Sequence, residues 1–131
     1  MTSQSPLVLI VDDTAENRRL MRRVLERDRL RVVEAASGED ALRVIRTSRP
    51  QIVVLDLRLP GMSGFDVARE LRANEDHGLA RTPILACSAS VQGEVRQEAL
   101  DAGCDAFEGK PLDLAMFAGR VRELIAQSER R

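Results

Sequence analysis

Residues 52–66 read IVVLDLRLPGMSGFD. The run IVVL is aliphatic and rich in β-branched residues, without the polar alternation of a half-solvated strand. Such runs belong to strands covered on both faces, as in a parallel sheet flanked by helices. The run stops at Asp56. Pro60, Gly61 and Gly64 then supply a sharp turn, and over residues 64–73 Phe65, Val67, Ala68 and Leu71 recur at helical spacing. The local order is strand, carboxylate, loop, helix.

Outward from this unit the order repeats. LVLIV (7–11), RVVEA (31–35), PILACS (83–88) and CDAFE (104–108) read as four more strands, the second and fifth weaker and suited to sheet edges. Helical patterns cover residues 14–27, 38–47, 64–73, 91–102 and 112–127. The first places Leu20, Met21, Val24 and Leu25 on one stripe, and Asp13 followed by Glu16 is a capping signature. Gly103 suits a left-handed helix terminus. The last helix places Leu114, Phe117, Val121, Leu124 and Ile125 on one face. Five strand–helix units in alternation predict an α/β three-layer sandwich. Right-handed crossovers leave few topologies, of which the flavodoxin-like order 2-1-3-4-5 with five helices is the expected one. Ligands in such sheets bind outside the carboxyl ends of the strands, where the order reverses.

At 131 residues the chain has the size of one domain, 1–131, with its core at about 6–127. Hydrophobic residues make up 44%, enough for a core; charged residues make up 31% and nearly cancel at net −1. That balance argues against direct nucleic-acid binding and against an anionic membrane. Trp and Tyr are absent, so no aromatic platform for bases exists. Cys87 and Cys104 lack metal-site spacing and read as buried free thiols of a reducing cytosol. The N-terminus has no basic leader and no apolar run approaches the ~20 residues of a membrane span, which gives the expectation of a soluble, cytoplasmic protein.

The predicted topology collects particular side chains at one edge. The first strand ends in Asp12 and Asp13, the third in Asp56, the fourth in Ser88, and Lys110 and Pro111 follow the fifth. One strand-end Asp is ordinarily a turn or helix cap; the joint pattern carries the information. Three crowded carboxylates require a compensating charge, and oxygen ligands with an open side suit Mg²⁺. A lysine supplies a point charge for a phosphate and a hydroxyl supplies a hydrogen bond. These are the parts that phosphoryl transfer needs around an oxygen nucleophile. The chain holds 19 arginines and one lysine, and that lysine is Lys110; a compact ammonium is what the position requires. No GxxxxGK[ST] phosphate loop is present. His77, the one histidine, reads as a surface residue in a polar loop, and the Arg-rich first helix as a solvated face or a docking face.

In LVLIVDDTAENRRLMRRVL, VVLDLRLPGMSGFDVARELR, PILACSAS and AGCDAFEGKPLD, the sequence resembles the receiver domains of two-component response regulators over about residues 6–127. The resemblance implies that Asp56 is the phosphoacceptor, that Asp13 ligates Mg²⁺ directly and Asp12 through water, and that the Arg58 backbone carbonyl is the third protein ligand. Mn²⁺ is an implied substitute. It further implies that Ser88 swings toward the phosphoryl group, that Lys110 contacts it, that Pro111 joins Lys110 by a cis bond, and that Phe107 is the aromatic switch. The implied donor is a histidine kinase or a histidine phosphotransfer protein. The implied output is a changed face of fourth helix, fifth strand and last helix, read by a downstream protein effector or by a second copy in a phosphorylation-dependent homodimer. No enzyme turnover is implied beyond self-catalysed phosphorylation and dephosphorylation.

Three positions set this chain apart from the commonest pattern. Arg58 is placed to hang over the site, to shield the phosphoryl group from water or to pair with a carboxylate, with a solvated side chain as the alternative reading. Phe107 has no hydroxyl and must act through packing. Ser90 is small and leaves room for an attacking water. Two other readings compete. A phosphatase of the haloacid-dehalogenase type needs a second acid two residues after the nucleophile, where this chain has Arg58. A pseudo-receiver would keep the fold and bind partners without phosphorylation. The start at Met1 favours a free-standing chain over a receiver excised from a hybrid kinase.

Overall fold

The computed structural model describes residues 5–90 and 92–130. In chain order the elements are β1 (Leu7–Val11), α1 (Ala15–Arg27), β2 (Arg31–Ala35), α2 (Gly38–Ser48), β3 (Ile52–Asp56), α3 (Gly64–Arg72), α4 (His77–Ala80), β4 (Ile84–Ser88), α5 (Gly93–Asp101), β5 (Ala106–Gly109) and α6 (Leu114–Glu129). The five strands form one parallel sheet in the order β2-β1-β3-β4-β5, as the alternation of apolar runs and helical patterns predicts. The two weaker runs are the edges.

Alternation along each strand divides the core in two. Leu9, Val11, Val53, Leu55, Ile84 and Ala86 face the side covered by α2, α3 and α5, where Ala41, Ile45, Val67, Leu71 and Ala99 meet them. Val8, Ile10, Ile52, Val54, Leu85 and Cys87 face α1 and α6, against Met21, Leu25, Phe117, Val121 and Leu124. Each large aliphatic side chain withdrawn from water contributes about 1.5–3 kcal/mol. At the amino-terminal edge of the sheet, Arg72 ties three segments together. Its guanidinium donates to the carbonyls of Gly103 (2.9 Å), Ala80 (2.9 Å) and Thr82 (2.7 Å), and to Asp105 Oδ2 at 2.8 Å. Gly103 has φ +109°, the left-handed terminus expected there.

Several details differ from the sequence expectations. A sixth helix, the single turn α4, begins at His77, capped by Asp76 through the amides of Gly78 and Leu79. α1 is preceded by Thr14 rather than capped by Asp13, and the Thr14 amide is taken by Asp12 Oδ1 at 2.9 Å. Leu20 is exposed, because it lies at the margin of the stripe centred on Met21 and Leu25. β5 starts at Ala106, two residues late, since Asp105 turns its carboxylate back onto the Ile84 amide. The expected start of the fourth patterned helix, Val91, lies outside the described residues. Cys87 and Cys104 are buried and free, and burial pushes their thiols up to about 12 and about 11. Among the described residues no helix is long and apolar enough to cross a membrane.

Candidate functional site

Parallel strands put all five carboxyl ends at one edge, and the polar strand-end residues converge there. β1 carries Asp12 just past its last residue, buried to 1% exposure, and Asp13 follows on the surface. β3 ends in Asp56, 6% exposed. One oxygen from each of Asp12, Asp13 and Asp56 lies within 4.8 Å of the others. Lys110, beyond β5, reaches across with Nζ 3.0 Å from Asp12 Oδ2 and 3.1 Å from Asp56 Oδ2. The Lys110–Pro111 peptide bond is cis. Among the described residues Lys110 is the cation in ion pairs with Asp12 and Asp56, and Asp13 completes the group of three carboxylates.

Burial raises the Asp56 carboxyl above the ordinary aspartate value, and the Asp12 charge adds to the rise. The Arg58 amide, which donates to Asp56 Oδ1 at 3.0 Å, and the Lys110 ammonium oppose it. For Lys110 burial alone would lower the ammonium, but the Asp12 hydrogen bond and the Asp56 charge outweigh it and the net direction is upward. The neighbouring carboxylates therefore hold the Lys110 ammonium charged, while burial works against the charged form of Asp56.

α3 is fixed onto the end of β3. Its start carries a capping box between Ser63 and Asp66, and the Gly64 amide donates to Leu57 O at 3.1 Å. A Cβ on Gly64 would lie 2.4 Å from Asp56 O and 2.7 Å from Leu57 Cα. Only glycine permits this approach, which the sequence shows only as part of a turn. Gly61, at φ +74° with open space around it, is the turn's left-handed residue.

The remaining predicted positions lie around this centre. Ser88 is buried, and its Oγ accepts the Ser90 amide at 3.1 Å. The Ser88 carbonyl accepts the Lys110 amide at 2.8 Å, which links the ends of β4 and β5. Ser90 is half-buried and Arg58 is exposed. The Arg58 guanidinium pairs with no carboxylate among the described residues. Phe107 is buried in the α2–α3–α5 side of the core, with the Arg96 guanidinium 5.1 Å from its ring centre. Two residues at the site went unread in the sequence. Asn17 Nδ2 lies 3.5 Å from both Asp12 carboxylate oxygens, and Arg18 Nη1 donates to the Asp12 carbonyl at 2.7 Å. The signal for Arg18 was Glu34, the one carboxylate in β2.

Residues 8–122 match the family model of the response regulator receiver domain. The chain belongs to this family. Among its curated relatives are the transcriptional regulatory protein KdpE of Mycobacterium tuberculosis, 35% identical over 93% of this chain and 52% of KdpE, and the response regulator MprA of Mycolicibacterium vanbaalenii, 36% identical over 92% and 51%. The sensor histidine kinase AruS of Pseudomonas aeruginosa is 41% identical over 80% of this chain and 10% of its own length. The chain spans about half the length of the curated regulators it matches. Among solved structures, the chemotaxis protein CheY4 of Vibrio cholerae superposes with a TM-score of 0.85 at 25% identity, over 92% of this chain and 98% of that one. The receiver domain of the Francisella response regulator 1452 gives 0.85 at 26% identity, over 95% and 99%. A two-component signalling switch, rather than an enzyme that turns over an external substrate, is what the family membership supports.

Proposed function

We propose that the receiver is switched by phosphorylation of Asp56, with a phosphohistidine of a histidine kinase or phosphotransfer protein as donor. The observation that carries the reading is the buried Asp56 carboxylate, set against Asp12, Asp13 and the ammonium of Lys110. An Asp56 oxygen attacks phosphorus, the P–N bond to the donor imidazole breaks, and its electron pair returns to the imidazole nitrogen. Three carboxylates facing one lysine leave a net negative oxygen cluster that fits a hard divalent cation. Asp12, Asp13, Asp56 and the Arg58 backbone carbonyl are the groups to hold Mg²⁺, or Mn²⁺ in its place. When bound, the ion neutralises phosphoryl oxygens.

The chain's own groups supply the rest. Lys110 leaves its two carboxylate partners for a phosphoryl oxygen. Ser88 releases the Ser90 amide and donates a hydrogen bond from its hydroxyl to the acyl phosphate, and Phe107 moves into the space vacated. This shifts the population of the α5–β5–α6 face, read by a protein effector or by a second copy of the chain. Hydrolysis by water resets the switch, with Arg58 and Ser90 flanking the water's approach. Residues 1–131 act in this reading as one domain, in the cytoplasm. Beryllofluoride, a phosphoryl mimic, tests it. With Mg²⁺ the native chain should show a bound ¹⁹F resonance that Asp56→Asn lacks; no bound resonance in the native chain would refute the proposal.

A further inference from the structure

We infer that Arg18 is a positioning residue for the acidic pair: it anchors the Asp12 backbone so that the Asp12 and Asp13 carboxylates converge on Asp56. The inference rests on the reading of that cluster as a Mg²⁺ site. Asp12 lies one residue past β1, where the ladder ends. Its amide still donates to Ala35 O at 3.2 Å. Its carbonyl has left the ladder, and among the described residues its donor is Arg18 Nη1 at 2.7 Å. Arg18 is itself held from behind, with Nε 2.8 Å from Glu34 Oε1 and a side chain only 17% exposed. Glu34 is held in turn by Arg22, which also donates to Val32 O at 3.1 Å. A relay thus runs from β2 through Glu34 and Arg18 to the backbone from which two of the three carboxylates hang. Burial would raise the Glu34 carboxyl, but its hydrogen bonds to Arg22 and Arg18 outweigh that and lower it, which favours the Glu34 carboxylate.

Charge and geometry predict opposite outcomes. As a charge, Arg18 repels a cation, and its loss would leave Mg²⁺ affinity unchanged or raise it. As an anchor, its loss frees the Asp12–Asp13 backbone and weakens binding, by about 10-fold or more for an outer partner of metal ligands. Calorimetric titration of the folded chain with Mg²⁺ alone separates them, with circular dichroism recorded on each variant. Arg18→Met should bind at least about 10-fold more weakly than the native chain. Glu34→Gln, which leaves Arg18 in place but loosens it, should fall between the two, and it carries the test if Arg18→Met does not fold. Equal or tighter binding by folded Arg18→Met, or unchanged binding by Glu34→Gln where that variant carries the test, would overturn the inference while leaving the Mg²⁺ reading intact. Failure of the native chain to bind Mg²⁺ would instead remove the reading on which it rests.

Discussion

Gly64→Ala probes how closely α3 is fitted to β3 beside Asp56. The new methyl would lie 2.4 Å from Asp56 O, about 1 Å inside the 3.4 Å at which ordinary contact begins, and 2.7 Å from Leu57 Cα. Both obstacles are backbone, so no side-chain rotation relieves them. Either α3 lifts away from β3 or the end of β3 gives way. Overpacking of this kind costs about 1–3 kcal/mol of stability. A displacement of about 1 Å at reacting groups costs on the order of 10²-fold in rate. Gly119→Ala is the control. Gly119 lies within α6 with open space around it, and alanine should stabilise the helix by about 0.5–1 kcal/mol. Urea unfolding gives the stabilities, and the rate of phosphorylation from acetyl phosphate gives the activity. A Gly64→Ala variant as stable and as fast as the native chain would refute the reasoning.

Lys110→Met should slow phosphorylation by about 10²-fold, the scale for one preorganised donor, and Lys110→Arg should fail to restore it because a planar fork does not replace a compact ammonium; recovery with arginine in quenched time courses would count against the assignment. In metal-free buffer the raised Asp56 carboxyl makes the folded state bind its proton more tightly than the unfolded state does. Stability is therefore lost as pH rises from the unfolded value through the raised folded one. Asp56→Asn should lack this loss, so its advantage over the native chain in thermal unfolding should grow across that window; an advantage that shrinks as pH rises would contradict the assigned direction. Arg96→Gln should remove the cation over the Phe107 ring at a cost of about 0.5–1 kcal/mol. In protein labelled with 4-fluorophenylalanine, which gives one line each for Phe65, Phe107 and Phe117, it should move the Phe107 line; an unmoved Phe107 line would show that the contact is not populated.

The sheet was legible because β1, β3 and β4 are nearly continuous apolar runs, as strands covered on both faces read. Chain alternation and handedness left few orders, of which 2-1-3-4-5 was the expected one and is the one observed. The convergence of Asp12, Asp13, Asp56 and Lys110 was legible for the same reason: in a parallel sheet, residues that end strands share an edge whatever their separation in sequence. What escaped was local. One turn of helix at His77–Ala80 is too short to show a period. The tight approach of Gly64 to Asp56 O looks in sequence like any turn glycine. Thr14 rather than Asp13 precedes α1, and the Asp12 carboxylate, not a cap at Asp13, takes the Thr14 amide. The relay from Glu34 to Arg18 to the Asp12 carbonyl was hidden because Arg18 is one of several arginines on α1, and only the packing of α1 on β2 singles it out.

The central claim, that Asp56 accepts a phosphoryl group, is tested most directly by the intact mass of the chain after incubation with Mg²⁺ and acetyl phosphate, beside Asp56→Asn treated alike. The native chain should gain the mass of one phosphoryl group, lost again with time, and the variant should gain nothing. An unmodified native chain, or equal modification of both proteins, would contradict it.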